Sequence, residues 1–362
     1  MNNPTSVTNK KVLALFLFVL YLGCLSLIAQ NIPRTYMAHH TLEKVTIDGQ
    51  QDEPAWQKTK WSQLFIDIEG KKVPNHETRM KMIWDENNLY IYAELKEPHV
   101  WGTLKQKDTV IFYNNDFEVF IDPDGDTHDY YELEINALNT IWDLYLSKPY
   151  RNGGHVLNNW DIKGLQSAVN IQGTLNDSKD IDEGWGVEIA IPWSFTTGTA
   201  GKTIIPKNKF WRINFSRVNW DFDLIDGRYS RKKDTDGNYL PEYNWVWSPQ
   251  GVVNMHEPEH WGYVYFSKDE ETTDTAFEIP QDDHIKWYLY ELYRDYKDTE
   301  KRKLIWKPEG NQYTAEPKSI LGTMFAPILE TNSFGFHLWA ISPFTGHKLI
   351  IHTDGRFEAI VP

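Results

Sequence analysis

The sequence predicts an all-β fold, an antiparallel β-sandwich followed by a small C-terminal helix-plus-sheet extension. Three observations carry that expectation. Over residues 42–266 the chain falls into short β-branched or aromatic segments separated by turn residues, the spacing of a sandwich or barrel. No stretch in that span keeps a helical period. Beyond it, residues 268–283 are rich in acids and threonine and read as a linker, and residues 284–362 form the extension.

The chain opens with Lys10 and Lys11 ahead of an uncharged apolar run over residues 12–29 that ends at Ala29-Gln30. A basic start, an apolar stretch and a small residue at its end make residues 1–29 a signal peptide, and predict export to the periplasm, outer surface or exterior of a bacterium. The run is about 18 residues, the lower limit for a membrane span, so retention as an anchor stays open. Cys24, after Leu22-Gly23, leaves lipidation open as well. It is the sole cysteine, which excludes a disulfide scaffold and a cysteine-ligated zinc site. With 37 Lys+Arg against 51 Asp+Glu the formal charge is -14, and no basic run occurs, so nucleic acid is not an expected partner.

Within the sandwich region, residues 79–84 and 89–95 flank Asp85-Glu86-Asn87-Asn88, a polar connection that reads as a hairpin. Further strands are expected at 117–121, at 130–146 in two pieces, and at 185–191, 211–218 and 262–266. In the extension, Ile285, Leu289, Leu292, Tyr293 and Tyr296 recur at helical spacing over 285–302, and Asp282-Asp283 place carboxylates at the positive end of the helix dipole. Strand patterns return at 334–341, 347–351 and 357–361, with Thr353-Asp354-Gly355-Arg356 as a turn. The expected extension is a helix packed on a small antiparallel sheet.

Five segments recur in a telling order. They are Ile47-Asp48-Gly49 with Asp52-Glu53 and Ala55-Trp56; Ile83-Trp84-Asp85-Glu86-Asn87-Asn88-Leu89-Tyr90; Glu118-Val119-Phe120-Ile121-Asp122-Pro123; residues 185–193, from Trp185 through Glu188 to Pro192-Trp193; and His256 with Pro258-Glu259-His260-Trp261-Gly262. Together they resemble the family-nine carbohydrate-binding modules over residues 42–266. That resemblance implies a β-sandwich that binds sugars, often with structural calcium, in exported proteins tied to polysaccharide breakdown. It also implies one aromatic wall of a sugar slot at Phe112, beside Tyr113, six positions before Glu118 of the family's strand motif. The family's hydrogen-bonding arginine falls on Glu134 and its second aromatic wall on Met255, two departures from the pattern. His256, Trp245 and Trp247 lie near in sequence and are candidates to replace the lost wall, with Arg217 as the cation.

The residues themselves add a ladder. Side chains alternate along a strand, so in Tyr131-Glu132-Leu133-Glu134-Ile135-Asn136-Ala137 the polar Glu132, Glu134 and Asn136 share one face, about 7 Å apart in succession. Such a face is either solvated or lines a groove in which carboxylates and amides meet paired sugar hydroxyls. The candidate ligand contacts are Phe112, Tyr113, Glu118, Glu134, Asn136, Arg217, Trp245 and His256. Asp122, Asp124 and Asp126, around Gly125, make either an acidic turn or a calcium site, the metal that takes six to eight oxygens. No organic cofactor is indicated. Glycoside cleavage needs two facing carboxyl groups, for which Glu118, Glu132 and Glu134 are the candidates.

The leading expectation is thus an exported protein that binds a polysaccharide or oligosaccharide. The alternatives are a glycoside hydrolase or lyase, and a surface-assembly scaffold whose extension docks a protein partner. Of the 16 tryptophans, Trp101, Trp142, Trp160, Trp220, Trp245 and Trp247 lie outside the family-like segments and are where aromatic surface is free to meet a sugar. His39-His40 is expected to be a mobile segment without a role.

Overall fold

The computed structural model describes residues 32–269, 277–298 and 312–362; the expected signal peptide and Cys24 lie outside the described residues. The N-terminal strands are β1 (Thr35–His40), β2 (Ile66–Asp67), β3 (Thr78–Trp84), β4 (Asn88–Lys96), β5 (Asp116–Asp122), β6 (Tyr130–Asn136), β7 (Ile141–Leu146) and β8 (Val156–Leu157). They are followed by β9 (Gln166–Gln172), β10 (Gly184–Pro192), β11 (Phe210–Asn219), β12 (Phe222–Ile225), β13 (Arg228–Arg231), β14 (Tyr243–Val246) and β15 (Gly262–Ser267). A 13-stranded sheet runs β8-β7-β6-β5-β11-β15-β1-β3-β4-β10-β9, with β14 pairing β11 and β2. The sheet curls on itself: Met80, Met82, Ile91 and Ile189 from one half pack against Val119, Leu133, Ile213 and Phe215 from the other.

The hairpin at residues 85–88 and the division of 130–146 into two strands are as expected. The N-terminal edge is not. Instead of being mobile, His39 and His40 lie in β1, which pairs parallel with both β15 and β3. His39 is buried, and its Nδ1 is 3.0 Å from the Asp269 carbonyl. The segment Thr35–His40 has no hydrophobic alternation to announce a strand; pairing on both sides holds it there.

The family-like segments have a structural use. The backbone N–H groups of Asp48 and Gly49 both donate to Glu188 Oε2 at 3.0 Å, and Trp56 Nε1 donates to its other oxygen at 2.8 Å. The entry segment is thereby clasped to β10.

In the extension, a helix spans Gln281–Lys297, so Gln281, Asp282 and Asp283 belong to it rather than to the linker. Asp282 supports that start by accepting from Thr345 Oγ1 at 2.6 Å. Residues 299–302, where the expected helix would end, lie outside the described residues. The strands are β16 (Gln312–Thr314), β17 (Lys318–Ile320), β18 (Thr323–Phe325), β19 (Ile328–Asn332), β20 (Gly335–Ile341), β21 (Lys348–Ile351) and β22 (Phe357–Ile360), five of them ordered β16-β19-β20-β21-β22. Ile285, Leu289 and Leu292 pack on Leu338, Leu349 and Ile351 of this sheet. From the same helix Tyr290 reaches the Gly355 carbonyl, while Arg294 reaches Glu259 of the sandwich, so residues 33–362 form one unit. Among the described residues no helix is long and apolar enough to cross a membrane.

Candidate functional site

Alternation puts Phe117, Val119 and Ile121 of β5 into the core and turns Asp116, Glu118 and Phe120 to the opposite face. On β6, Leu133 and Ile135 point into the core while Glu132, Glu134 and Asn136 share the face of Glu118. Register pairs Glu118 with Glu134 and Phe120 with Glu132, and places Ser216 of β11 on the other side of Glu118. This face is not solvated. Glu118, Glu132 and Glu134 are only 4%, 5% and 2% exposed.

The cover comes from a 3-10 turn at Ile111–Tyr113, a second at Tyr150–Asn152, and the loop ahead of Pro258. Between cover and sheet lies a cavity of about 300 Å³. Glu118, Glu132 and Glu134 form its acidic side, and Phe112, Trp142 and Tyr150 supply aromatic surface. Met255, His256 and Glu242 also line it. Of the expected contacts, Phe112, Glu118, Glu134 and His256 therefore converge.

The acidic side is crowded. Carboxyl oxygens of Asp116, Glu118 and Glu134 lie within 4.8 Å of one another. Glu134 accepts the Phe112 N–H at 2.9 Å and Asp116 the Val218 N–H at 3.3 Å. The second oxygen of Asp116, and one oxygen each of Glu118 and Glu132, are buried without a partner. Burial, then the charge of Glu242, pushes Glu118 up to about 7. Burial, reinforced by repulsion from Glu118, holds Asp116, Glu132 and Glu134 well above the usual carboxylate range.

His256 stands 2.9 Å from the Tyr130 hydroxyl, and burial together with the nearby Arg151 lowers it to about 4, leaving a neutral ring near pH 7. Its loop is pinned electrostatically. Arg151 pairs with Glu257 at 2.9 Å and Glu259 at 2.8 Å, and Arg294 from the helix of the extension pairs with Glu259 at 2.7 Å. Burial alone would raise Glu259, but Arg151 and His260 outweigh it and hold it below its ordinary value.

Four expected contacts lie elsewhere. Arg217 has the parity of Ile213 and Phe215, so it points into the core, where it is 0% exposed. There it pairs with Glu97 at 3.3 Å and donates to the Lys96 carbonyl at 2.9 Å. Trp245, on the inner side of β14, lies 5.1 Å from the Arg217 guanidinium and belongs to the same core. Asn136 keeps the outward parity, but its amide accepts the N–H groups of Leu138 and Thr140 at 3.0 Å and donates to the Leu104 carbonyl at 2.9 Å, fixing the β6–β7 turn. Tyr113 turns outward, 45% exposed, with Arg231 4.4 Å from its ring.

The tryptophans outside the family-like segments divide in the same way. Trp101, Trp220, Trp245 and Trp247 are buried in core clusters and Trp160 packs on the main core, which leaves Trp142 to line the cavity. Sequence reasoning missed Asp116, Tyr150 and Glu242. Asp116 was legible, being two residues before Glu118 on one strand. Tyr150 sits in an aperiodic turn and Glu242 just outside β14, where no pattern marks them.

Asp122, Asp124 and Asp126 each offer a carboxylate oxygen within 4.8 Å of the others, and the turn is also held by partners of its own. Asp122 accepts the N–H groups of Gly125 and Thr127 at 2.8 and 3.0 Å, and Asp126 accepts from His128 N–H and Arg356. The Lys286 ammonium donates to the Gly125 carbonyl. Two cations of the extension, Lys286 and Arg356, stand against the turn and supply positive charge to it.

The family model described as Carbohydrate family 9 binding domain-like matches residues 47–268. The chain belongs to that family. No curated protein matches the chain. Among solved structures, it is similar to a family 9 carbohydrate binding module from Caldicellulosiruptor kristjanssonii, solved with cellotriose and with glucose. The identity is 15% and the TM-score 0.43, over 68% of this chain and 100% of that one. A candidate carbohydrate-binding protein from Bacteroides uniformis gives 15% identity and a TM-score of 0.47, over 65% of this chain and 100% of that one. Phe112, Glu118, Glu134 and Met255, the four positions to which the resemblance pointed, line a single cavity in this member of the family.

Proposed function

We propose that the chain is an exported carbohydrate-binding protein that takes part in polysaccharide breakdown, and that it holds a sugar in the cavity between Phe112, Trp142 and Glu118. The observation that supports this reading most is the convergence of aromatic surface and carboxyl groups in one cavity of about 300 Å³. Aromatic faces cover the C–H surface of a pyranose with little loss of rotamer entropy, and carboxylates accept from its hydroxyls in pairs. Export is supported by the basic and apolar pattern of residues 1–29.

The reading as a hydrolase or lyase is weaker. Cleavage needs one carboxyl ionised and another protonated, in environments that push their pKa values apart. Here Glu118, Glu132 and Glu134 are all pushed upward. Docking of a protein partner has little support from the helix of the extension, whose residues Ile285 to Leu289 are buried.

Titration calorimetry across a panel of neutral, acidic and basic oligosaccharides tests the binding reading, with Glu134→Ala as the control. Absence of heat with every saccharide would sink it. Product analysis on the same panel tests cleavage, and N-terminal sequencing of the protein from cell fractions tests export.

A further inference from the structure

The charge in the cavity is one-sided. Glu118, Glu132, Glu134 and Glu242 line it, Asp116 contributes an oxygen beside them, and among the described residues no lysine or arginine lines it. Arginines on neighbouring elements are otherwise engaged: Arg217 faces the core, Arg151 is paired with Glu257 and Glu259, and Arg231 stacks on Tyr113 and Trp220. His256, the remaining basic residue on the lining, is held by Tyr130.

Crowded acids alone do not define a site. Here, however, Glu118 and Glu132 are more than nine-tenths buried, line an open cavity, and each keep an oxygen with no partner in the protein. A buried carboxyl oxygen left without a donor is costly, and donors that also carry positive charge relieve both the missing hydrogen bond and the repulsion. Resting on the reading that the cavity binds a sugar, we propose that it selects saccharides bearing a positive charge, a hexosamine with a free amino group, over neutral ones.

The shape of the cavity favours an ammonium on a sugar over a bare metal ion. About 300 Å³ is far more than an ion occupies, and Phe112, Trp142 and Tyr150 offer faces that an ion does not need. An aromatic face suits both a pyranose ring and an adjacent cation. Three donors on an ammonium match the oxygens of Glu118, Glu134 and Asp116, which lie within 4.8 Å of one another. Burial pushes these acids toward their neutral forms, and an entering cation would draw them back to the charged form with release of protons.

Calorimetry on the full chain with three trisaccharides tests this: fully deacetylated chitotriose, its N-acetylated counterpart, and cellotriose. The deacetylated trimer is expected to bind about tenfold more tightly than either neutral one, the difference between a charge-assisted and a neutral hydrogen bond. The advantage should persist in EDTA, should exceed that of a simple alkylamine, and should vanish in Glu134→Gln and Glu118→Gln, each checked for folding by its melting transition. Equal binding of cellotriose would overturn the charge preference and leave the sugar-binding reading intact. Failure of all three trimers would overturn both. Loss of the advantage in EDTA, equal binding of the alkylamine, or its survival in both variants would also overturn the proposal.

Discussion

Glu118 and Glu134 sit directly opposite each other on β5 and β6, both buried, both on the face turned away from the main core. Like charges in direct register on neighbouring strands repel. The sheet tolerates the pair because its acids are pushed toward protonation, which makes the stability of the protein depend on pH.

The sign follows from Glu118, whose carboxyl rises from an ordinary 4.5 to about 7. A group with a raised folded-state pKa contributes stability that is fully present below 4.5 and is lost as pH rises through about 7. His256 has the opposite slope: lowered from 6.5 to about 4, it contributes stability above 6.5 that is lost as pH falls through 4. A difference between two proteins isolates the first. Thermal unfolding of Glu118→Gln should show a melting temperature that gains on wild type as pH is raised from 5 to 8. A constant difference across that range would mean that Glu118 is ordinarily ionised.

Arg217 illustrates a different burial. Its guanidinium is held by Glu97 Oε2 at 3.3 Å, and the same oxygen accepts from Trp185 Nε1 at 2.7 Å. Removing one partner of a buried pair leaves the other uncompensated, at a cost of about 3–5 kcal/mol. Arg217→Met should therefore melt at a much lower temperature. The folded fraction should keep wild-type affinity for saccharides, measured by calorimetry well below the transition. A stable variant that has lost binding would return Arg217 to the site.

The turn at Asp122 separates a resident metal from an internal cation. Asp122 is buried, and burial with repulsion from Asp124 and Asp126 raises its carboxyl well above the ordinary value, while Lys286 works against that rise. If Lys286 and Arg356 neutralise the turn, neither calcium nor EDTA should move the wild-type melting temperature. Lys286→Met should unfold earlier, and millimolar calcium should recover part of the loss, because a ligand that binds only the native state stabilises it. A wild-type transition that falls in EDTA would restore calcium as a constituent.

Much of this was legible in residue patterns. The alternation in residues 131–137 set Glu132 and Glu134 on one face correctly, because period 2 depends only on the backbone. The same parity, extended along β11, separates Arg217 from Ser216 and would have placed Arg217 in the core. What alternation does not reveal is cover. Whether an outward face meets water depends on loops such as Ile111–Tyr113 and Tyr150–Asn152, whose paths are set by tertiary contacts. Nearness in sequence misled for Trp245: eleven positions before His256, it points to the opposite side of the sheet. β1 escaped because parallel pairing in mid-sheet needs no hydrophobic alternation of its own.

Glu134 also permits a test by charge reversal, at the position where the family's hydrogen-bonding arginine falls. Glu134→Arg would set a guanidinium beside the carboxyl groups of Glu118 and Asp116, which now lie with Glu134 in one cluster of oxygens within 4.8 Å. Its five donors suit paired carboxylates, and an opposite charge at that distance favours their ionised forms. The cavity would then be compensated internally. Affinity for deacetylated chitotriose should fall about tenfold, and affinity for cellotriose should rise by a similar factor, since each preference rests on about one charge-assisted contact. The melting temperature near pH 8 should rise as well, because one carboxyl is removed and another gains a partner. Unchanged affinities in a well-folded Glu134→Arg protein would mean that the sugar lies elsewhere on the molecule.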